Sequence, residues 1–210
     1  MAHPLLLQRG LYAITDGPRE DLIEVCAAAI AGGAAMLQYR DKTADAARRH
    51  AEAAALADLC SRHRIPLIVN DDVDLAAAVG AAGVHLGEDD DDPASARALL
   101  GADAIIGVSC YDSLDRARHL AAAGADYLAF GAFFASPTKP RARSATPQLL
   151  REAKALGVPL VAIGGITAEN GAELIEAGAD FLAVISAVFA TADVRAAAQA
   201  LCQLFDSSRS

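Results

Sequence analysis

The sequence predicts a single α/β domain in which eight parallel strands close into a (β/α)₈ TIM barrel. The first observation is a recurring pattern of an Ala-rich helix end, a glycine and a short apolar run, found at 31–37, 81–86, 122–128 and 176–182. Glycine readily takes the left-handed conformation that ends helices. Each repeat is therefore typical of a helix, a tight turn and a strand.

Two further observations support the barrel. The apolar runs are continuous rather than alternating, which indicates strands buried on both faces, as in a parallel sheet. The length of 210 residues allows eight units of about 26 residues each, near the lower limit for such a barrel. A doubly wound sheet is the alternative, but its usual early Gly-x-Gly-x-x-Gly turn is missing. We expect residues 1–210 to form one domain without a linker.

The elements follow in order along the chain. The predicted strands are 11–15, 36–40, 67–70, 84–87, 105–109, 127–131, 160–164 and 181–186. Between them, Ala-, Leu- and charge-rich stretches predict helices, among them 44–62, 73–79, 147–156, 168–176 and the final helix 194–205. Asp72 and Thr167 are expected to cap the helices that follow them. Asp91 and Asp92 are expected in the first turn of the next helix.

The composition excludes several classes of protein. Hydrophobic residues make up 54% of the chain, which allows a sizeable core. No apolar run approaches the roughly 18 residues that a membrane helix needs, and the leucines at 5–7 are too few for a signal-peptide core. A net charge of −9 argues against a nucleic-acid partner.

The four cysteines, at positions 26, 60, 110 and 202, include no Cys-x-x-Cys pair, and three of them lie in helical context. We expect reduced core thiols, as in a cytoplasmic protein.

A barrel predicts that functional side chains gather just after the strand ends. Gln38, Arg40 and Lys42 lie at the end of the second strand. Because alternate residues share a face, these three project together while Tyr39 and Asp41 point away. Two cations and an amide on one edge suit a polyphosphate. The alternative is a solvated strand end that carries these charges without a ligand.

Carboxylates follow the third and fourth strands. Asn70, Asp71 and Asp90 offer oxygen donors with no set of Cys or His nearby. This is the donor type that Mg²⁺ uses when it is shared with substrate phosphates. Asp72, Asp91 and Asp92 are assigned to helix starts, and the metal is assigned to Asp71 and Asp90 alone.

Two later segments suit further phosphate groups. The long segment 131–146 includes hydroxyls and a cation at 136–139 and is typical of a substrate-binding lid, with an ordinary exposed loop as the alternative. Gly165 follows strand seven, and Ile185 and Ser186 end strand eight. Barrels commonly bind a monophosphate there, on backbone amides.

The sequence offers no activated nucleophile. It has no Gly-x-Ser-x-Gly elbow and no Gly-x-x-x-x-Gly-Lys-Ser/Thr loop. His85 lies inside a strand and is expected to be a core residue with its hydrogen bonds satisfied. The expected site therefore holds two phosphate-bearing ligands and a metal.

Six segments, taken in order, carry a resemblance to a known family. The segments 38–42, 70–71, 83–90, 107–109, 136–139 and 162–166 resemble the motif set of the thiamine-phosphate synthases, over most of the chain. The resemblance implies a barrel-shaped transferase of thiamine biosynthesis that uses Mg²⁺. Such an enzyme joins 4-amino-2-methyl-5-(diphosphooxymethyl)pyrimidine, the pyrimidine diphosphate, to 4-methyl-5-(2-phosphooxyethyl)thiazole or its 2-carboxy form, the thiazole phosphate. Pyrophosphate is released.

The same resemblance implies roles for individual residues, position by position. The catalytic residues would be Arg40, Lys42 and Lys139. The pyrimidine diphosphate would be bound by Gln38, Tyr39, Arg40, Asp41, Lys42, Asn70, Ser109 and Lys139. The thiazole phosphate would be bound by Ser136, Pro137, Thr138, Gly165, Ile185 and Ser186. Asp71 and Asp90 would bind Mg²⁺.

The chain departs from the family pattern at a few positions. Ala132 and Ala135 stand where the family often has proline, Ser136 where it often has threonine, and Glu88 where it often has glutamine. Ser136 keeps the hydroxyl, whereas the loss of two prolines makes the lid less rigid.

Two alternatives share the thiazole-phosphate site, namely a thiazole tautomerase-like enzyme and a non-catalytic paralogue that binds thiazole phosphate. Neither needs the diphosphate-binding cations or the acid pair, Asp71 and Asp90, and both features are intact here. The expected partners are small-molecule substrates, with neither nucleic acid nor a membrane, and a homo-oligomer is left open.

Overall fold

The protein is described by a computed structural model that covers residues 3–88, 90, 92–135 and 144–207. Eight parallel strands form a closed barrel in which each strand pairs with the next and β1 pairs with β8. The predicted (β/α)₈ barrel is confirmed. The strands are β1 Gly10–Ile14, β2 Met36–Tyr39, β3 Leu67–Asn70, β4 Gly83–Leu86, β5 Ile105–Tyr111, β6 Tyr127–Phe130, β7 Leu160–Ile163 and β8 Phe181–Val184.

Helices surround the strands. Short 3₁₀ helices lie at Pro4–Leu6 and Lys154–Leu156. The α-helices are α1 Leu22–Ala31, α2 Ala46–His63, α3 Val73–Val79, α4 Pro93–Leu100, α5 Leu114–Ala122, α6 Pro147–Ala153, α7 Ala172–Glu176, α8 Ser186–Phe189 and α9 Val194–Ser207. Within the described ranges, none of these helices combines the length and apolarity that crossing a membrane would require.

Helix starts agree with the sequence at one position and differ at two. Asp72 caps α3 as predicted, because its Oδ1 accepts a hydrogen bond from the Leu75 amide at 2.9 Å. Asp92 is the N-cap of α4 rather than a residue of its first turn, and Asp91 lies outside the described residues. The helix predicted at 168–176 is shorter in the structure, and Thr167 does not cap it. The Asn170 side chain accepts from the Thr167 amide at 2.8 Å and forms a turn, so α7 begins at Ala172.

The core has two layers. Inside the barrel, Tyr12, Met36, Tyr127 and Phe181 pack together, and Leu6 of the first 3₁₀ helix joins them. Outside the barrel, the other faces of the strands pack against the helices. Burial on both faces explains why the apolar runs are continuous in the sequence.

The cysteines are free thiols, as predicted. Cys26, Cys60 and Cys110 are buried, and burial raises the pKa of each thiol to about 12. Burial raises the pKa of the partly exposed Cys202 to about 11. The four thiols therefore stay protonated at neutral pH and pack as small apolar groups.

Gly107 of β5 leaves the space that the Tyr127 ring fills. A Cβ built at Gly107 would overlap the Cζ, Cε1 and hydroxyl oxygen of Tyr127. We expect Gly107→Ala to lower the free energy of unfolding by about 1–3 kcal/mol, as overpacking of a buried site does. Denaturant unfolding measures the loss, and a double-mutant cycle with Tyr127→Leu should show that the two positions are coupled. Additive effects would mean that the ring does not occupy this space.

Candidate active site

A cavity of about 700 Å³ opens at the carboxyl ends of the strands, and all eight strands contribute to its lining. This is the face on which barrels of this kind carry their sites. The sequence-predicted residues that line the cavity are Gln38, Arg40, Lys42, Asn70, Asp71, Asp90, Ser109, Gly165, Ile185 and Ser186. Ser136, Pro137, Thr138 and Lys139 lie outside the described residues.

Tyr39 and Asp41 do not line the cavity, and the binding role that the family resemblance implies for them stays a prediction. The Tyr39 hydroxyl donates to Glu52 of α2 at 2.7 Å. Asp41 is buried, accepts from the Thr43 amide at 2.8 Å and lies 2.9 Å from the Arg48 guanidinium. The period-two alternation of extended chain directs both side chains toward the helices. They support the segment that carries the cations rather than contacting the cavity.

The same contacts keep Asp41 charged. Burial works to raise the pKa of this carboxyl, but the hydrogen bonds from Thr43 and the charge of Arg48 together lower it below its ordinary value. A buried charge of this kind needs such partners to be tolerated.

Thr15 fixes the backbone of Arg40, a contact that no pattern in the sequence predicts. Its buried hydroxyl accepts from the Arg40 amide at 2.8 Å and donates to the Arg40 carbonyl at 3.1 Å. These two bonds continue the pairing of the first two strands past the end of β2. The backbone of Arg40 therefore has a fixed position beside the cavity, directly after the end of β2.

Lys42, Asp71 and Asp90 form a charged cluster at the cavity mouth. Lys42 Nζ lies 3.2 Å from Asp71 Oδ2, and Asp90 Oδ2 accepts from the Gly87 amide at 2.6 Å. Burial and the neighbouring Asp71 carboxylate raise the pKa of Asp90, which the Gly87 amide and Lys42 offset only in part. Asp71 has a left-handed φ of 64°, and its amide donates to the His85 carbonyl at 2.8 Å.

The acid pair has the chemistry of a magnesium site completed by a ligand. Two neighbouring carboxylates attract a cation. Among the described residues, no group of three or more Cys, His, Asp or Glu side chains could hold a metal. Mg²⁺ often takes only one or two carboxylates and obtains its other oxygens from phosphates and water. Asp71 and Asp90 fit that pattern.

Five side chains form a continuous hydrogen-bonded chain across the barrel interior, which we call the interior chain. Gln38 Nε2 donates to the Tyr12 hydroxyl at 2.7 Å, and the Tyr12 and Tyr127 hydroxyls are 2.8 Å apart. His85 Nδ1 lies 3.0 Å from the Tyr127 hydroxyl, and its Nε2 lies 2.9 Å from Ser109 Oγ. The expectation that His85 is hydrogen-bonded is confirmed, but His85 is only partly buried and lines the cavity rather than the core. The sequence did not predict that Tyr12 and Tyr127 take part in the same hydrogen-bonded chain.

Arg116 of α5 holds two strand ends together. Its guanidinium donates to the Ser109 carbonyl at 2.8 Å and to the Gly87 carbonyl at 3.2 Å, and it lies over the Tyr111 ring. It thereby ties the end of β5 to the loop that carries Asp90.

The opposite side of the cavity is built from backbone. Gly164 and Gly165 both have positive φ, of 107° and 64°. The Asn170 amide group donates to the Gly165 carbonyl at 3.0 Å, which fixes the turn after β7. A Cβ at Gly165 would lie 2.7–2.8 Å from atoms of Phe134 and Ala135. The glycine is therefore needed for the close approach of that segment.

Comparisons with known proteins identify the family. A family model described as thiamine monophosphate synthase matches residues 11–188. A thiamine-phosphate synthase of Xanthomonas campestris is 58% identical over 193 residues, covering 91% of this chain and 93% of that protein. A thiamine-phosphate synthase of Nitrosococcus oceani is 54% identical, covering 95% and 94%.

The chain belongs to the thiamine-phosphate synthase family. A solved structure of thiamine phosphate pyrophosphorylase from Pyrococcus furiosus has a TM-score of 0.88 at 35% identity, covering 97% of this chain and 98% of that one. Membership of the thiamine-phosphate synthase family makes the chain a transferase of thiamine biosynthesis that acts on small molecules.

Proposed function

We propose that the chain joins the pyrimidine diphosphate to the thiazole phosphate, giving thiamine phosphate and pyrophosphate, by Mg²⁺-assisted dissociative substitution. The observation that carries the proposal is the division of one cavity into two unlike sides. Cations and carboxylates follow β2, β3 and β4, whereas glycine and small residues follow β7 and β8. A diphosphate suits the first side and a monophosphate the second.

On the first side, Arg40 and Lys42 bind the diphosphate together with Asn70, which ends the neighbouring strand β3. Arg40 offers a planar fork and Lys42 a compact charge, so together they hold oxygens of different orientation. Gln38 and Ser109 lie deeper, at the two ends of the interior chain, and bind the pyrimidine ring. Asp71 and Asp90 hold Mg²⁺, which when bound neutralises charge on the diphosphate.

On the second side, the backbone around Gly165, Ile185 and Ser186 binds the thiazole monophosphate. Ser136, Pro137, Thr138 and Lys139 are proposed to complete the two phosphate sites from the lid. Barrels commonly bind a monophosphate after strands seven and eight.

The proposed coupling reaction requires stabilisation of the leaving pyrophosphate rather than a general base. The thiazole ring nitrogen attacks with its lone pair and has no proton to lose. The bond between the pyrimidine methylene carbon and the diphosphate oxygen breaks, and both electrons leave with pyrophosphate. Arg40 and Lys42 stabilise the negative charge that develops on the departing pyrophosphate. Electrostatic stabilisation of this kind is usually the largest catalytic contribution. The cavity holds the two substrates in place for attack.

Release of pyrophosphate from the mixed substrates tests the proposal directly. We expect pyrophosphate to appear only when both substrates are present, in an amount equal to the thiamine phosphate formed. A tautomerase-like enzyme or a binding protein would take up thiazole phosphate without releasing pyrophosphate, and that result would overturn the proposal.

Gly165→Ala tests the thiazole side. The new Cβ must displace the Phe134–Ala135 backbone, so we expect the KM for thiazole phosphate to rise about tenfold or more, with the loss of one well-placed contact. The KM for the pyrimidine diphosphate should change little. Gly80→Ala is the matched control, because Gly80 has a φ of 63° and no heavy atom within 4 Å of the built Cβ. An equal rise in both KM values would mean that the thiazole site is misplaced.

A further inference from the structure

The interior chain is held by the register of three neighbouring strands. His85, Gly107 and Tyr127 are register partners on β4, β5 and β6. Because Gly107 has no side chain, the Tyr127 ring extends over it and stacks on His85, with centroids 5.6 Å apart and planes 15° apart. Tyr12 meets Tyr127 edge to face at 5.9 Å. Packed rings of this kind hold the hydrogen-bonding atoms at fixed positions.

The donors and acceptors of the interior chain can be assigned in order, starting from Gln38. Gln38 Nε2 only donates, so the Tyr12 oxygen accepts from it. The single Tyr12 hydrogen then goes to the Tyr127 oxygen, 2.8 Å away, and the Tyr127 hydrogen goes to His85 Nδ1. Burial raises the pKa of both tyrosines, so neither phenol loses its proton.

We propose that this order fixes His85 as the neutral tautomer protonated on Nε2, and that Tyr12, Tyr127 and His85 are positioning residues for the ligand. His85 Nε2–H then donates to Ser109 Oγ, which leaves the Ser109 hydrogen to point into the cavity. The bond from Gln38 Nε2 to Tyr12 fixes the orientation of the amide, so its Oε1 is held as the acceptor available to a ligand. The interior chain thus presents an acceptor at Gln38 Oε1 and a donor at the Ser109 hydroxyl. Neither hydrogen-bonding role can reverse unless the other bonds of the interior chain reverse as well.

This arrangement selects the pyrimidine ring rather than its diphosphate, an inference that rests on the proposed function. An aminopyrimidine offers an exocyclic amino donor and ring-nitrogen acceptors, which complement Gln38 Oε1 and the Ser109 hydroxyl. The 4-oxo analogue replaces the amino donor by an acceptor and turns a ring nitrogen into a donor. A site built to pair with one pattern rejects the other, because its buried polar groups are left without partners.

Tyr127→Phe breaks the interior chain at its centre and keeps the ring. The Tyr12 hydrogen then has only Gln38 to bind, so the Gln38 amide turns and presents Nε2 to the cavity. We expect the preference for the amino over the 4-oxo pyrimidine diphosphate to fall about tenfold or more, as the loss of one oriented bond implies. Calorimetry without thiazole phosphate measures binding alone, since no reaction then takes place. A ratio of affinities unchanged by Tyr127→Phe would overturn the proposal.

Nitrogen NMR of the free protein tests the tautomer independently of any ligand. The chain has five histidines, and His85→Gln identifies the signals of His85. At mildly alkaline pH we expect the wild type to carry the proton on Nε2, and Tyr127→Phe to shift the tautomer balance. Tyr39→Phe removes a phenol hydrogen bond outside the barrel and should leave the His85 signals unchanged. A proton on Nδ1 in the wild type would overturn the proposal.

The two measurements separate this proposal from the proposed function. If the wild type binds neither pyrimidine and releases no pyrophosphate, the proposed function fails, while the His85 signals still decide the polarity of the interior chain. If pyrophosphate is released but the proton lies on Nδ1, only the positioning role fails.

Discussion

Asp90→Asn is expected to lower kcat/KM about 100-fold or more at limiting Mg²⁺ and to raise the Mg²⁺ concentration needed for half-maximal activity. The charge that a bound metal neutralises is worth several kcal/mol, and each ~1.4 kcal/mol is a tenfold change in rate. The asparagine oxygen can still accept from the Gly87 amide, so the loop should keep its shape. Steady-state rates over a range of Mg²⁺ concentrations measure the effect. Asp71→Asn should act in the same way, because asparagine tolerates the left-handed conformation of that position.

Asp92→Asn is the matched control for the acid pair. It removes a charge two residues from Asp90, and asparagine caps helices as well as aspartate does. We expect its Mg²⁺ dependence and its melting temperature to match the wild type, and the two cavity variants to stay folded as well. Full activity of the wild type in chelator-treated, metal-free buffer would contradict the metal assignment.

The architecture could be predicted because it depends on local patterns. Each Ala-rich helix end, glycine and apolar run lies within a few residues of sequence, and a parallel barrel brings all the strand ends to one face. For that reason Arg40, Asp71 and Ser109, which are far apart in the chain, could be expected around one cavity.

The alternation of side chains was a better guide to direction than the family motif. It placed Tyr39 and Asp41 away from the cavity, and their contacts with Glu52, Thr43 and Arg48 agree. A contiguous motif therefore mixes residues that line a site with residues that support it.

The interior contacts could not be predicted from the sequence. Tyr12 and Tyr127 are 115 positions apart, and their meeting depends on the strand register and on the space at Gly107. Thr15 and Asn170 act through side-chain bonds to backbone, which leave no periodic signal. Such contacts are set by tertiary geometry, which hydrophobic periodicity does not encode.

Replacing the 2-methyl group of the pyrimidine diphosphate by trifluoromethyl is expected to slow the coupling by several orders of magnitude. In a dissociative substitution the methylene carbon becomes cationic before the thiazole nitrogen attacks. The electron-rich aminopyrimidine delocalises that charge, and trifluoromethyl withdraws electrons from the same ring. Each ~1.4 kcal/mol of lost cation stabilisation slows the reaction about tenfold. Single-turnover rates measure the chemical step without the contribution of product release.

The same analogue serves as its own control through its affinity. Arg40 and Lys42 hold the diphosphate, which the substitution leaves unchanged, so the dissociation constant should stay close to that of the natural substrate. A large fall in rate with normal binding places the effect in the transition state, because only interactions or charges that change on the way to it alter the chemical step. A single-turnover rate that barely responds to the substituent would instead require direct displacement. In that case the carbon never carries a full charge, and the cations after β2 would act by holding the substrate rather than by stabilising a departing pyrophosphate.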